Sequence, residues 1–505
     1  MNAAVVAARV EQFRALVAHH LGLQFEEAKM GWLADVLRRR MECTGVAADP
    51  YLARLAAGPS RNELGALAQE LTVGETYFFR NIDQFHALRE CVLPDRLRAP
   101  TARRGLRVLS AGCASGEEAY SIAMTLRELL PDPSCELWIR AVDLNPAMIE
   151  KALRARYTAW ALRETPPAMQ QRWFRPDGRE LVLDDAIRFA VTFEERNLSE
   201  DDPELWLPGA YDVVFCRNVL MYFAAQSAQA LVARITRSLA PGGYLFLGHA
   251  ETLRGLSQAF HLRHTHATFY YQQKDGVAPA AQATPAQADV PDVTGPALAA
   301  VVEGTDNWVE AIGKAAERVR TLTQATTGTG GVAAGVPEPW HLGPALELFR
   351  QERFADALGL VQALPPESAH DPDVLLLHAV LLAHGGQLAK AEDACHRLLA
   401  LDELNAGAHY VLALCREGAG DRRGAADRDQ AAVYLDPSFA MPRMHLGLLA
   451  RRAGERETLR HEMAHALALL EREDPSRLLL FGGGFNRETL LALCRAELQA
   501  SGESR

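Results

Sequence analysis

Leu106 to Met124, LRVLSAGCASGEEAYSIAM, changes period halfway along. Leu106, Val108 and Leu109 open a short apolar strand, Gly112 and Gly116 permit a tight turn, and Ala119, Tyr120, Ile122 and Ala123 continue at helical spacing. That is the pattern of the first strand–turn–helix unit of a doubly wound α/β sheet, which binds its ligand where the strands end. The turn is G-x-x-x-G and lacks the dinucleotide G-x-G-x-x-G. Glu117 and Glu118 also place carboxylates where a pyrophosphate would meet the helix N-terminus, so NAD and ATP fit poorly. A cationic cofactor such as S-adenosylmethionine fits better.

Outward from this unit, strands and helices alternate from 105 to 272, with strands expected at Leu106–Ala111, Leu137–Val142, Ile187–Glu194, Tyr211–Cys216, Gly243–Gly248 and Ala267–Gln272. The second strand ends in AVDLN. Asp143 then stands at a strand tip one unit beyond the glycine turn, where it can accept hydrogen bonds from both hydroxyls of a ribose or cap the helix that DLNPAMIEKAL begins. The fourth runs into CRNVLMYF, so Arg217, Asn218 and Tyr222 leave a buried strand at its carboxyl end. Pro241-Gly242-Gly243 reads as a turn before the fifth. Between 160 and 190, prolines, a helix-like PPAMQQRWF and a hairpin signal at Asp177-Gly178 interrupt the alternation, which indicates an inserted β-subdomain.

Upstream, residues 5–95 show apolar positions at three-to-four spacing and read as an all-α domain. Arg38, Arg39 and Arg40 cluster near the end of one helix, either complementing its dipole or docking a partner of opposite charge. Arg80 follows Phe78 and Phe79 just before another helix, where an arginine usually packs its stem and keeps its head in water.

Downstream of Tyr271 the chain becomes rich in Ala, Pro and Gln and reads as a tether; it includes a possible helix, DNWVEAIGKAAERVRTLTQ, and a glycine-rich run. From about 340 the sequence repeats at 34 residues. Ala345, Ala379, Ala413 and Gly447 share one phase, Ala357, Ala391 and Ala425 another, and Gly386, Gly420 and Gly454 mark a shared turn that Glu352 occupies in the first copy. This is the tetratricopeptide period, giving three full repeats and a partial fourth in an α-solenoid that holds a peptide or serves as a helical cap. The domain bounds that follow are 1–95, 96–275, a tether at 276–339, repeats at 340–475 and a helical tail at 476–505.

Composition narrows the function classes. A net charge of −11 gives no support to nucleic acid as a partner of the whole chain. No apolar run approaches ~18 residues and the N-terminus lacks a basic leader region, so neither membrane insertion nor a signal peptide is expected. The 8 cysteines are scattered without a C-x-x-C pair, which suits a reduced cytoplasmic protein without a metal site.

Six motifs in order, ETYFFR, SAGCASGEEAYSIAM, AVDLN, RNL, FCRNVLMYF and PGGYLFLGHAE, closely resemble the CheR family, S-adenosylmethionine-dependent methyltransferases that esterify glutamate side chains of chemotaxis receptors. The repeats after a tether resemble the subgroup fused to tetratricopeptide repeats in chemosensory-like pathways. The resemblance covers residues 1 to 272 and implies a Rossmann-like methyltransferase domain. It also implies that Thr76, Arg80, Glu118, Asp143, Asn197, Leu198, Arg217 and Asn218 line the cofactor pocket, that Arg80 and Tyr222 lie near the transferred methyl, and that the helix with Arg38, Arg39 and Arg40 faces the receptor's cytoplasmic domain. Where receptor-tethered relatives insert a glycine-containing loop in the β-subdomain to grasp a receptor pentapeptide, this chain has only RPDGRELVL, so it is similar to the pentapeptide-independent type. The basic helix is also thinner, with two glutamates and a tryptophan in EEAKMGWLADVLRRR. Two other readings stay open at this point: a non-catalytic adaptor assembled through the repeats, and an O-methyltransferase acting on a small molecule.

Overall fold

The computed structural model describes residues 3–72, 74–98, 105–130, 137–275, 342–351 and 353–502. It divides into two compact units, Met1–Thr284 and Pro285–Arg505. The tether expected at 276–339, with its possible helix, lies outside the described residues, as does Glu352.

The first unit is built on strands β1 (Leu106–Ala111), β2 (Leu137–Asp143), β3 (Arg156–Tyr157), β4 (Phe174–Asp177), β5 (Glu180–Leu183), β6 (Val191–Glu195), β7 (Tyr211–Cys216), β8 (Leu239–Leu247), β9 (Phe260–Thr265) and β10 (Thr268–Gln273). Seven of them form one sheet in the order β6-β2-β1-β7-β8-β10-β9. The first five of that order are parallel, and β10 and β9 add an antiparallel edge. Helices on both faces bury the centre: every residue of β7 is buried, and Phe215, Phe246 and Tyr270 stack at 4.5 and 5.2 Å between ring centroids. Because β2 and β7 flank β1 on opposite sides, the chain changes direction there, and a crevice opens beyond the carboxyl ends of β1 and β7.

The strand expectations need three adjustments. Residues 185–188 are helical, because the Asp184 carboxylate caps the Ala186 N–H at 2.9 Å, and β6 starts only at Val191. Pro241-Gly242-Gly243 is a bulge inside β8: Leu239 already pairs with Tyr211, and the register jumps to Tyr244 opposite Val213. The edge strand β9 was not among the expected strands: its apolar alternation stops after Phe260 and Leu262, and only Phe260 is buried. In the inserted segment β3, β5 and β4 form a separate three-stranded sheet, turning at Gly178 with φ +65°.

Helices Ala3–Leu21, Met30–Thr44, Ala48–Ala56 and Arg61–Leu71 share a core around Phe13, Leu33, Val36 and Leu67. Leu144 and Tyr222, from loops at the carboxyl edge of the sheet, pack against that core. Gln24 N–H donates to the Tyr222 carbonyl at 2.8 Å, and Leu23 bridges Phe223, so the helical domain roofs one end of the crevice.

The second unit is a run of antiparallel helix pairs: Gly343–Arg350 with Phe354–Gln362, Pro372–His384 with Leu388–Leu401, Ala406–Gly418 with Arg422–Leu435, and Ala440–Ala453 with Arg456–Leu470. Helices Pro475–Phe481 and Arg487–Gly502 follow. The alanines of both phases are buried where paired helices cross, and Gly386, Gly420 and Gly454 turn the second, third and fourth pairs with φ of +71°, +86° and +79°. The fourth pair is complete, not partial. Leu459 takes the place of the alanine, and Gly447 makes room opposite, since a Cβ there would lie 2.9 Å from Met463. The architecture is therefore an all-α domain, a Rossmann-like domain with an inserted β-subdomain, and an α-solenoid.

Candidate functional site

The crevice is shaped by backbone before any side chain enters it. Gly112 ends β1 at φ +80°, and a Cβ at that position would collide with Val219, so only glycine lets the two loops approach. The N–H groups of Gly112 and Cys113 both donate to the Val142 carbonyl, at 2.8 and 3.0 Å, which folds the turn towards the tip of β2. Ala114 then adopts φ +45° and donates its N–H to Asp143 Oδ2 at 2.8 Å; Asn145 N–H donates to Oδ1, also at 2.8 Å. A carboxylate offers about four acceptor sites, so the backbone N–H groups that reach it from Ala114, Leu144 and Asn145 leave capacity for a further donor. Asn145, not Asp143, caps the helix Pro146–Arg154, its side chain accepting from Ala147 and Met148. Burial raises the Asp143 pKa above the ordinary carboxylate value, opposed by these N–H donors.

The cleft encloses about 700 Å³, open solvent at its mouth included. Of the expected site residues it brings together Asp143, Asn197, Leu198, Asn218 and Tyr222. Leu198 is buried and forms apolar wall with Leu21, Leu23 and Leu71. The Asn197 side chain is committed locally: its amide donates to the His20 carbonyl at 2.8 Å and to Glu200 at 3.1 Å, while its oxygen accepts from Ser199. Asn197 thus ties the loop after β6 to the helical domain, and what it offers the cleft is backbone.

Thr76, Arg80, Glu118 and Arg217 do not line that cleft; the last three form an adjoining group, joined to it because Arg217 precedes Asn218. Arg217 is buried, and burial lowers its pKa. Its Nη1 lies 3.3 Å from Glu118 Oε2, and its Nη2 donates to the Arg80 carbonyl at 2.6 Å and to Asn81 Oδ1 at 2.7 Å. Ser110 donates to Glu118 Oε1 at 2.7 Å. Burial raises the Glu118 pKa, with Arg217 the largest opposing influence. The backbone that Arg217 grips is strained, with Phe79 at φ +57° and Asn81 at +58°, and Phe79 N–H donates to Ser121 Oγ at 2.9 Å. Arg80 is half-buried with its guanidinium carbon 5.8 Å from the Tyr77 ring centroid, and Thr76 is half-buried in the same segment.

One buried carboxylate beside the cleft was not singled out by sequence reasoning, although it closes the PGGYLFLGHAE motif. Glu251 is buried and accepts the N–H groups of Asn218 at 2.7 Å, Gly248 at 2.8 Å and Met221 at 3.3 Å. It holds Asn218 at φ +57°, which aims the loop after β7 into the cleft.

Arg38, Arg39 and Arg40 do not form an unpaired patch. Arg39 pairs with Glu70 at 2.7 Å, and the mostly buried Arg40 pairs with Glu63 at 2.7 Å, where Tyr51 also donates. Arg38 is exposed and pairs along its own helix with Asp35 and Glu42.

A nucleoside with a cationic substituent fits this site: the Gly112 cradle admits close approach, Asp143 retains acceptor capacity, and Glu118 supplies a carboxylate nearby. Among the described residues no cluster suits a metal ion, and all seven described cysteines are free.

The chain is similar to known proteins over the residues that form the site. The family described as "CheR methyltransferase, SAM binding domain" matches residues 74–269. "Chemotaxis protein methyltransferase 2" of Vibrio cholerae is 36% identical over 270 residues, spanning 52% of this chain and 93% of that protein. "Probable biofilm formation methyltransferase WspC" of Pseudomonas putida is 27% identical over 447 residues, spanning 88% of this chain and 95% of that protein. Among solved structures, a thermophilic TPR protein of Thermus thermophilus covers 32% of this chain and 89% of its own at 22% identity, with a TM-score of 0.25.

Proposed function

Because the chain belongs to the CheR family of S-adenosylmethionine-dependent methyltransferases, we propose that it esterifies glutamate side chains in the cytoplasmic domain of a methyl-accepting chemoreceptor. The observation that supports this reading is the grip of buried Arg217 on the Arg80 backbone carbonyl, which ties the Arg80 segment to the loop after β7; we take the Arg80 guanidinium as the cation that a carboxylate substrate needs.

When bound, S-adenosylmethionine supplies an electrophilic methyl group on a sulfonium and leaves as a neutral thioether. Asp143 would accept the ribose hydroxyls, Leu198 and the Asn197 backbone would flank the base, and Asn218 would shape the remaining wall, with Arg217 and the segment of Thr76 supporting it from beside the cleft. Glu118 would offset the positive charge of the sulfonium end. A glutamate carboxylate, with a pKa near 4.3, is ionised at pH 7 and needs no general base. Its oxygen forms a bond to the methyl carbon as the carbon–sulfur bond breaks, and no proton moves. Alignment is what the protein contributes, with Arg80 holding the carboxylate and Tyr222 orienting it.

No helix among the described residues is long and apolar enough to cross a membrane, and we place the protein in the cytoplasm with its receptor's signalling domain. The helix pairs from Gly343 to Leu470 support a role in binding a protein or peptide. Likeness to the WspC proteins over 88% of the chain makes surface-attached growth the first pathway output to test. We further take residues 1–275 as a catalytic module that folds alone and 340–475 as the repeat module. Peptide mapping of receptor cytoplasmic fragments after incubation with the protein and S-adenosylmethionine tests the substrate assignment. Methyl esters on glutamate support it, and methylation confined to another side chain rejects it.

A further inference from the structure

Two guanidinium groups lie against one ring. Arg163 places its Cζ 3.6 Å from the Tyr77 centroid, and Arg80 places its own at 5.8 Å. Arg163 also lies 4.4 Å from the Trp160 ring and donates to the Trp160 carbonyl at 2.9 Å, so it is held between two aromatic faces. Among the described residues neither Arg163 nor Arg80 has a carboxylate within ion-pairing distance. By contrast Arg156, Arg172, Arg175 and Arg188, in and around the same inserted segment, are all paired. Glu164 is spent on Tyr77, where burial and that carboxylate raise the phenol's pKa and keep it neutral.

The arrangement is fixed in advance. Phe78 N–H donates to the Ala161 carbonyl at 2.9 Å, and the Phe78 ring meets Tyr157 and Phe174 edge-on at 4.8 and 5.0 Å. The short helix Ala159–Leu162 is thereby pinned to the segment that carries Tyr77 and Arg80. Trp160 on that helix is 73% exposed, a costly place for an indole with nothing to cover it. Two cations without a carboxylate partner that share the Tyr77 ring, in a protein of net charge −11, are close enough to meet neighbouring carboxylates of one acidic segment, such as those at i and i+4 of a helix, whose Cβ atoms are about 5–6 Å apart.

We propose that Trp160, Arg163 and Tyr77 form a docking surface for an acidic α-helix of the protein substrate, with Arg163 gripping a carboxylate one turn from the glutamate that Arg80 holds. This rests on the receptor-glutamate reading above. It assigns substrate recognition to the inserted β-subdomain and leaves Arg39 and Arg40 to their internal carboxylates.

The test uses the full chain and the cytoplasmic fragments of the methyl-accepting receptors of its own organism, with kcat, KM and cofactor affinity measured separately. Arg163→Glu is expected to raise the KM for the fragment by about tenfold or more while kcat at saturation and cofactor affinity stay within about twofold. Arg163→Gln, which keeps a planar group between the rings, should raise KM less; unchanged cofactor affinity in both variants shows that the fold is intact. A fragment carrying lysine three or four residues from the methylated glutamate should recover its KM with Arg163→Glu. A KM within twofold of the unaltered protein for Arg163→Glu overturns the proposal. Absence of methylation of every fragment by the unaltered protein overturns instead the reading on which it rests, and the proposal falls with it.

Discussion

Arg217 and Glu118 meet at 3.3 Å at the carboxyl edge of the parallel sheet, and the same guanidinium holds the Arg80 carbonyl at 2.6 Å. Both side chains are almost wholly shielded from solvent, so neither charge is supported by water. Removing one partner of such a pair leaves the other uncompensated, at a cost of about 3–5 kcal/mol. Glu118→Gln is therefore expected to lower thermal stability and to loosen the strained turn from Phe79 to Asn81. A melting curve coincident with the unaltered protein would show that Arg217 finds its compensation elsewhere.

Asp143→Ala should weaken cofactor binding while the fold survives. Two hydrogen bonds from ribose to an ionised acceptor are each worth about 1.5–3 kcal/mol. Since burial raises the Asp143 pKa, affinity should also fall on acidification earlier than an ordinary aspartate, near pKa 3.9, would make it. Titration calorimetry across pH checks both expectations. Equal affinity in the folded variant removes Asp143 from the site.

Arg80→Ala should lower methyl transfer by about a hundredfold, the scale of a misaligned nucleophile, with a much smaller change in cofactor affinity. The backbone carbonyl that Arg217 holds is unaltered by this substitution. Normal turnover would mean that another group orients the carboxylate.

In the repeats, His409 is buried with Nε2 3.0 Å from the Glu403 carbonyl and Nδ1 3.5 Å from Arg428, and burial lowers its pKa from 6.5 to about 4. The unfolded chain takes up a proton below 6.5 that the folded chain refuses, so stability present above pH 6.5 is lost as pH falls towards 4, by about 2 kcal/mol at pH 5. Asp429, which faces His445 at 2.7 Å, works the other way. Burial raises its pKa from 3.8 to about 6, so its contribution grows as pH falls through 6. His409→Gln should consequently make hydrogen exchange in the helix Ala406–Gly418 slower at pH 5 relative to pH 7 than it is in the unaltered protein, after correction for intrinsic rates. An unchanged pH response would show that His409 titrates normally.

What the sequence disclosed follows from how locally each feature is determined. Tyr211–Cys216 is an unbroken buried run and Leu106–Ala111 is buried at all but Arg107; both are bounded by turn residues, and both were legible to the residue. The repeats were legible because small residues recur wherever helices cross. Strand β9 was not, since FHLRHT lies at the sheet edge and buries only Phe260 fully. The pairing of Arg39 and Arg40 depends on Glu70 and Glu63 from a different helix, 31 and 23 residues away, which no local pattern reports. The same is true of Glu251, whose role exists only once β7 and β8 lie side by side, and of the Tyr77–Arg163–Trp160 stack, which the inserted subdomain brings to Arg80.

The central claim is that Arg80 presents a receptor glutamate to the methyl group. Its most direct test is transfer of tritium from methyl-labelled S-adenosylmethionine to a receptor cytoplasmic fragment, comparing the unaltered protein with Arg80→Ala at saturating cofactor. The account predicts label on the fragment that is released as methanol by mild base and is nearly abolished by the substitution. Label that resists base, or base-labile label that forms equally fast without the Arg80 side chain, would contradict it.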